Sequence, residues 1–257
     1  MSAPVSFERI LYTVDGAIAR ITLNRPEKRN ALDPQMLEEL PQAFARAEED
    51  AAVRVVALGA AGTDFCAGLD VTTLRPTADP AVFEKMRDAE RVVRLFLLMR
   101  RLTKPIVALV RGRALGGGCG LATACDIVLA AESAQFGYPE VRIGFVPAIV
   151  SVLLRRSVGE KKAAELVLSG RRITAAEAER LGLVTFVFPD EAFEQKSAEF
   201  LAELARQGPH AMRLTKQILY HIDGLSFEAA LRAAADVNVL ARLTEDFARG
   251  IAEFLRK

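Results

Sequence analysis

Histidine and cysteine are scarce in this chain of 257 residues, and net charge is almost nil. There are 2 His and 3 Cys, and 34 Lys+Arg against 33 Asp+Glu leave a formal charge of +1. His210 and His221 both fall in the carboxy-terminal region, and no HExxH, CxxC or Cys/His cluster occurs, so a zinc centre lacks a ligand set and a Ser-His-Asp triad lacks a well-placed base. His210 follows Gly208-Pro209 at the start of an expected helix and His221 lies near its end, which suits capping or surface roles. Cys66, Cys119 and Cys125 are odd in number and sit in apolar or glycine-rich surroundings; a disulfide framework is not expected and a reducing compartment is. The balanced charge gives no electrostatic reason for a nucleic-acid or membrane-surface partner. No uncharged apolar run approaches the roughly 20 residues needed to span a bilayer. Residues 1–9 lack the basic-then-apolar pattern of a secretory signal, and a cytoplasmic location is expected. Neither GxxxxGK[ST] nor a GxGxxG after a strand occurs, which removes the usual phosphate loops.

With 51% hydrophobic and 26% charged residues the chain has ample material for a core. The layout divides near residue 190. Before it, apolar strands alternate with helices. Ile10 to Val14 and Ala17 to Leu23 flank Asp15-Gly16, a hairpin signal. Asp33-Pro34 opens a helix to about Glu49, with Asp as N-cap and Pro at the first helical position. Val53 to Leu58, Ile106 to Val110 and Asp126 to Ala130 read as buried strands, and Thr174-Ala175-Ala176-Glu177 has the form of a capping box. After Phe188-Pro189-Asp190 the pattern is helical, so a core over 1–190 and a helical region over 191–257 are expected.

Within the core the sequence loosely repeats itself. Val55-Val56-Ala57-Leu58 leads through a loop to Cys66-Ala67-Gly68-Leu69-Asp70, and Ile106-Val107-Ala108-Leu109 leads to Leu115-Gly116-Gly117-Gly118-Cys119. Stacking the two units would bring their small-residue corners together, each offering a backbone N–H to one oxygen that becomes negative. Close packing of glycines explains either corner alone; only the pair favours a site. Glu140, in Ala134-Gln135-Phe136-Gly137-Tyr138-Pro139-Glu140, offers a carboxylate to move a proton beside that oxygen. This combination suits chemistry next to a thioester carbonyl.

The chain resembles the crotonase, or enoyl-CoA hydratase/isomerase, superfamily over nearly its whole length. Asn24 to Leu32 looks like the family's NRPxxxNAL segment, Phe65 to Asp70 like its FxAGxD motif, and Lys104 to Asp126 like its strand and GGG helix. Ala134 to Glu140 looks like AxFGxPE, and Thr244 to Gly250 like the terminal helix. The resemblance implies an α/β fold, a spiral of ββα units with a carboxy-terminal helical trimerisation region, assembled as a trimer or a dimer of trimers. It implies an acyl-CoA thioester as substrate, with coenzyme A entering only as part of that substrate and no separate cofactor. The family's oxyanion hole maps onto the backbone N–H groups of Leu69 and Gly117, and its proton-carrying glutamate onto Glu140.

Two-carboxylate hydratases of the family carry a further glutamate immediately after GGGC, where this chain has Gly120. The dienoyl-CoA isomerase branch carries one eight residues after the position of Glu140, where this chain has Ala148. One acid is thus expected to serve. Hydration of a 2-enoyl-CoA, Δ3,Δ2-isomerisation by Glu140 alone, and a non-catalytic acyl-CoA-binding role all remain open on the sequence. Tyr138, Glu84, Asp88 and Glu90 are candidate substitutes for the missing glutamate, and a glutamate placed at 120 is expected to reach the cavity at little cost. Leu69, Phe136 and Val146 are expected as apolar walls raising the Glu140 pKa. Lys28 and Arg29 are candidates for the CoA phosphates, joined by Arg256 and Lys257 from a neighbouring subunit. Ala67, Gly68 and Asp70 are grouped along the CoA moiety, although the carboxylates of Asp70 and Asp126 have the look of turn or helix-start groups. Cys66 and Cys119 are expected as buried filler.

Overall fold

The computed structural model describes residues 6–72 and 82–256. Strands β1 (Ile10–Asp15) and β2 (Ile18–Leu23) form the expected antiparallel hairpin, turning at Gly16-Ala17. Helix α1 (Pro34–Glu49) starts where the sequence places it: Asp33 accepts from the Met36 N–H at 2.8 Å. Strand β3 (Val55–Ala60), helix α2 (Val82–Arg101), β4 (Ile106–Val110), β5 (Arg113–Leu115), α3 (Gly117–Thr123), β6 (Ile127–Ala131) and β7 (Gln135–Gly137) follow. After a short 3₁₀ turn, Pro139–Ile143, come α4 (Ala148–Val158), α5 (Glu160–Ser169), β8 (Arg172–Thr174), α6 (Ala175–Arg180) and β9 (Phe186–Phe188). The chain then continues through α7 (Phe193–Ala205), α8 (Pro209–His221), α9 (Phe227–Ala241) and α10 (Glu245–Phe254).

The strands divide between two sheets. One has the order β1-β2-β3-β4-β6-β9 and is parallel from β2 onward; the other is β5-β7-β8. Each inner unit sends its first strand to the large sheet and its second to the small one, β4 then β5, and β6 then β7. The unit that begins with β3 has only a rudiment of a second strand, the parallel bridge between Cys66 and Ala114. That bridge makes the loose sequence repeat physical.

The central strands are apolar throughout because both faces are covered. Val56, Leu58, Ile106, Ala108, Val128 and Ala130 point into the main core, where α1, α2 and α3 pack. Their alternates Val55, Ala57, Val107, Leu129 and Ala131 point the other way, onto Phe193, Leu201 and Ala205 of α7. Fully burying a side chain the size of Phe193 or Leu201 contributes about 1.5–3 kcal/mol, so α7 belongs energetically with the sheet even though it follows the last strand.

Helix α8 is fixed to the core by one buried cation. Lys216 Nζ donates to the carbonyls of Met99 and Lys104 at 3.1 and 3.0 Å and to Asp126 Oδ2 at 2.7 Å. Asp126 also accepts from Tyr220 Oη and from the Ile106 N–H, both at 2.6 Å. Asp126 is therefore a structural junction. His210 is exposed in the first turn of α8 and does not cap it; the cap is Asp246 of α10, whose carboxylate accepts from the His210 and Ala211 N–H groups at 2.7 and 3.2 Å. Only half of the expected capping box at Thr174 forms. Its hydroxyl accepts from the Glu177 N–H at 3.2 Å, but the Glu177 carboxylate turns to Arg171, which offers a charged, two-pronged partner.

Candidate active site

The first corner of the site is built by the segment between β2 and α1. Asn30 is buried; its Oδ1 accepts from the Arg25 N–H at 2.8 Å, and its Nδ2 donates to the carbonyls of Ala61 and Asp64 at 2.8 Å each. Arg25, also buried, donates to the Ala31 carbonyl at 2.6 Å and pairs with Asp70 at 3.2 Å. These bonds lay the chain at Leu32 alongside Leu69. The Leu32 N–H donates to the Gly68 carbonyl at 2.8 Å, and the Asp70 N–H donates to the Leu32 carbonyl at 2.9 Å. In such a parallel bridge the residue between the two bonded neighbours turns its own N–H to the opposite side. Opposite lies Gly117: a Cβ built on Gly117 would stand 3.5 Å from the Leu69 nitrogen, and one on Gly68 would stand 3.5 Å from the Gly117 nitrogen.

The second corner joins β5 to α3. The Leu115 N–H donates to the Cys66 carbonyl at 2.9 Å, and the Gly116 N–H to the Gly137 carbonyl at 2.8 Å, which ties the corner to both neighbours. Gly116 then turns with φ 53° and ψ −125°, a conformation that favours glycine. Gly118 is required for a different reason, since a Cβ there would lie 2.6 Å from the Cys66 Cβ. Among the described residues, the N–H groups of Leu69 and Gly117 have no acceptor within the chain. Two neighbouring backbone donors left open in this way are uncommon in a folded protein and mark a place for an oxygen from outside.

Glu140 meets these corners from the 3₁₀ turn that follows β7. A Cβ on Gly116 would sit 3.1 Å from Glu140 Oε1, so the carboxylate rests against the bare backbone of the oxyanion corner. Its other oxygen, Oε2, is buried without a hydrogen-bond partner. Burial pushes the Glu140 pKa above the usual carboxylate value, because the ionised form loses water and gains little in return. No ion pair to Arg142 forms among the described residues. A carboxyl group held half-desolvated beside two open N–H donors can exchange a proton with a carbon next to a polarised carbonyl.

The other candidates are distributed unevenly. Lys28 and Arg29 are exposed on the loop whose Arg29 carbonyl accepts from the Ala67 N–H at 3.0 Å, so they stand beside the first corner. Ala67 and buried Gly68 form that corner. The Thr72 hydroxyl, at 2.7 Å, and then Arg25 engage the Asp70 carboxylate and hold its pKa down. Arg256 is exposed at the end of the chain; Lys257 and the Glu84 side chain lie outside the described residues. Asp88 and Glu90 are drawn to Arg91 and Arg94 on the exposed face of α2, at 2.5 and 3.0 Å. Tyr138 is sealed in the core with its hydroxyl against Thr123 Oγ1 at 2.9 Å. Val146 is exposed, Phe136 is wholly buried, and Leu69 borders the corner beside Gly117. Burial pushes the thiols of Cys66 and Cys119 up to about 12 and about 11, which leaves them inert.

Position 120 departs most from expectation. A Cβ on Gly120 would lie 2.3 Å from Val150 Cγ1 and 3.4 Å from Phe96 Cζ, both side chains being buried. A new side chain at 120 therefore meets packed core and not open cavity. The sequence signal for this was available only as a pairing between distant positions, Gly120 on α3 and Val150 on α4.

Residues 13–257 match the family model for enoyl-CoA hydratase/isomerase. The chain belongs to that family, the crotonase superfamily. It is 42% identical over 242 residues, 94% of its own length and 96% of the relative's, to a Thermus thermophilus protein provisionally named an enoyl-CoA hydratase. It is 35% identical over 238 residues, 92% of its length and 91% of the relative's, to the 2,3-dehydroadipyl-CoA hydratase of Escherichia coli. The crystal structure of an enoyl-CoA hydratase from Mycobacterium smegmatis superposes with a TM-score of 0.92 at 30% identity, covering 97% of this chain and 96% of that one. The fold is thus the crotonase fold with its carboxy-terminal helices, and the protein is an enzyme of a family whose substrates are acyl-CoA thioesters. Among the described residues no helix is long and apolar enough to cross a membrane, and no group of three or more His, Cys, Asp or Glu is placed to hold a metal.

Proposed function

We propose that the enzyme hydrates a 2-enoyl-CoA, with the N–H groups of Leu69 and Gly117 holding the thioester oxygen and Glu140 moving the proton. The buried, unpartnered Oε2 of Glu140 beside the open donors carries this reading. Glu140 takes a proton from water as the water oxygen bonds to C3; the electron pair of the double bond passes through C2 to the thioester oxygen, where the two N–H groups stabilise the enolate. The same carboxyl group then returns a proton to C2. Losing one donor of such a pair costs about 2.7–4 kcal/mol of transition-state stabilisation, so the backbone geometry governs the rate. Lys28 and Arg29, exposed on the loop beside the first corner, are the residues proposed to contact the phosphates of CoA.

A second reading, Δ3,Δ2-enoyl-CoA isomerisation, has its own support in the single carboxylate at the site, since proton removal and return need only one acid. The experiment that separates the two is incubation with crotonyl-CoA and with a 3-enoyl-CoA in deuterated water, following hydration, double-bond migration and C2 deuteration separately. Hydration of crotonyl-CoA outpacing migration supports the first reading. Migration alone supports the second, and absence of all three signals would leave an acyl-CoA-binding module.

Residues 191–257 are proposed to carry the main subunit contacts of a trimer or a dimer of trimers. Helix α10 exposes Phe247, Ile251 and Phe254 on one face, and α9 exposes Phe227, Leu231, Val239 and Leu240. Apolar surface of this extent calls for a partner. A monomeric mass by light scattering would count against the assembly.

A further inference from the structure

We infer that Val150 is a specificity-determining residue: by filling the space at Gly120 it closes the α3 side of the Glu140 site to a second carboxylate and so holds the enzyme to one-acid chemistry. This rests on the role proposed for Glu140 and adds to it the reason no second acid can act from α3. Gly116, against which the Glu140 carboxylate rests, and Gly120 are one turn apart, and the Gly120 N–H donates to the Gly116 carbonyl at 2.9 Å. Residues four apart share a helix face, and a helical side chain covers the turn on the amino-terminal side of its own Cα. A side chain at 120 would therefore head toward Gly116 and the Glu140 carboxylate.

That route is occupied. Val150 Cγ1 stands 2.3 Å and Val150 Cβ 3.2 Å from the Cβ that any residue other than glycine would bring, with Phe96 Cζ at 3.4 Å behind it. Val150 is β-branched and sits inside α4, where one χ1 rotamer dominates, so its side chain cannot swing clear. It is buried, as are Phe96 of α2 and Leu154 one turn further along α4, so retreat of the helix would open a void. Position 120 and position 150 thus share one volume: glycine at one allows valine at the other, and a residue with a reaching side chain at 120 requires a small residue at 150. Val150 touches no reacting atom in this scheme. It acts through what it excludes.

The test is a cycle of variants in the full-length enzyme: Gly120→Ala, Gly120→Glu, Val150→Ala, and each substitution at 120 combined with Val150→Ala. Gly120→Ala adds only the Cβ and no charge, so it probes the shared volume even if Gly120→Glu fails to fold. The expected result is a lowered thermal midpoint for Gly120→Ala that Val150→Ala largely restores, the double variant lying above the sum of the single effects. For Gly120→Glu combined with Val150→Ala, crotonyl-CoA hydration should rise at least about tenfold over Val150→Ala alone, since general acid–base assistance is worth about 10²–10⁴-fold. The pH profile of kcat should gain a second ionisation that neither single variant shows, a change that packing alone does not produce. Gly120→Ala folding as stably as the native enzyme would overturn the proposal, as would a well-folded Gly120→Glu, Val150→Ala enzyme with unchanged hydration and one ionisation. Adding Glu140→Gln to the native background keeps the two ideas apart: retained turnover there refutes the role of Glu140, while the thermal cycle at 120 and 150 still reports on the shared volume.

Discussion

Replacing Glu140 by glutamine tests the site on two independent scales. The substitution keeps the shape of the side chain and removes its titration. If Glu140 is the acid/base, turnover should fall by about 10²–10⁴-fold, equivalent to about 3–5 kcal/mol at 1.36 kcal/mol per decade. The second scale is stability. Burial raises the native pKa of Glu140 above its ordinary value of 4.5, so the folded state binds its proton more tightly than the unfolded state does. Stability from this group is then complete below the ordinary value, declines as pH rises through the interval up to the raised native value, and stays lower above it. Glutamine carries no such decline. The stability of Glu140→Gln relative to the native enzyme should accordingly grow with pH across that interval and level off beyond it, measured by urea unfolding from pH 4 to 8. The acid limb of kcat/KM in the native enzyme should likewise have its midpoint above the ordinary glutamate value, and should vanish in the variant. Retention of turnover within tenfold, or a stability difference independent of pH, would refute the assignment.

Three further outcomes are expected elsewhere. Gly118→Ala sets a Cβ 2.4 Å from the Cys66 carbonyl oxygen, a backbone atom that cannot step aside, so unfolding free energy should drop by at least about 1–3 kcal/mol in a denaturant titration. A near-native midpoint would contradict the close packing of the two corners. Lys216→Met removes the cation that ties α8 to Met99, Lys104 and Asp126 and leaves a largely desolvated carboxylate without its counter-ion, costing about 3–5 kcal/mol by urea unfolding; a loss under about 1 kcal/mol would show that Tyr220 and the Ile106 N–H suffice for Asp126. The three buried thiols, with Cys66 and Cys119 pushed up to about 12 and about 11, should react with a disulfide reagent at pH 8 only after unfolding, and rapid labelling of the folded protein would contradict their burial.

The sequence showed more of the fold than of the site's surroundings, for reasons that follow from how each is encoded. The hairpin at Asp15-Gly16, the N-cap at Asp33 and strand β4 are local: turn chemistry, a capping side chain and an unbroken apolar run each fall within a few residues. Strands β5, β7 and β8 are three residues each and carry no periodic signal, so they become visible only as partners of one another. The two corners could be paired because their strands repeat a pattern, and the structure brings them together through the Cys66–Ala114 bridge. The roles of Arg25 and Asn30 were not legible, since their partners Asp70, Ala61 and Asp64 lie 31 to 45 residues away. The exposure of Val146 was not legible either, since nearness in sequence to Glu140 says nothing of direction: the chain leaves the 3₁₀ turn at Pro139–Ile143 along the surface.

A centre whose electrophilic half is backbone places its constraints where side-chain chemistry does not show them. Leu69 contributes an N–H that any residue but proline would supply, yet its aim depends on Leu32 pairing with Gly68 and Asp70, and that pairing depends on Arg25 and Asn30 holding the loop. Gly116, Gly117 and Gly118 contribute what they lack, respectively room for Glu140, room for Leu69 and room for Cys66. The acid half follows opposite logic, because one carboxylate at the right desolvation is enough to move a proton and a second can be added or withheld by whatever fills the neighbouring turn of α3. Reaction type within this fold can then change through an apolar residue such as Val150, which carries no chemistry of its own, while the donors that stabilise the enolate stay as they are.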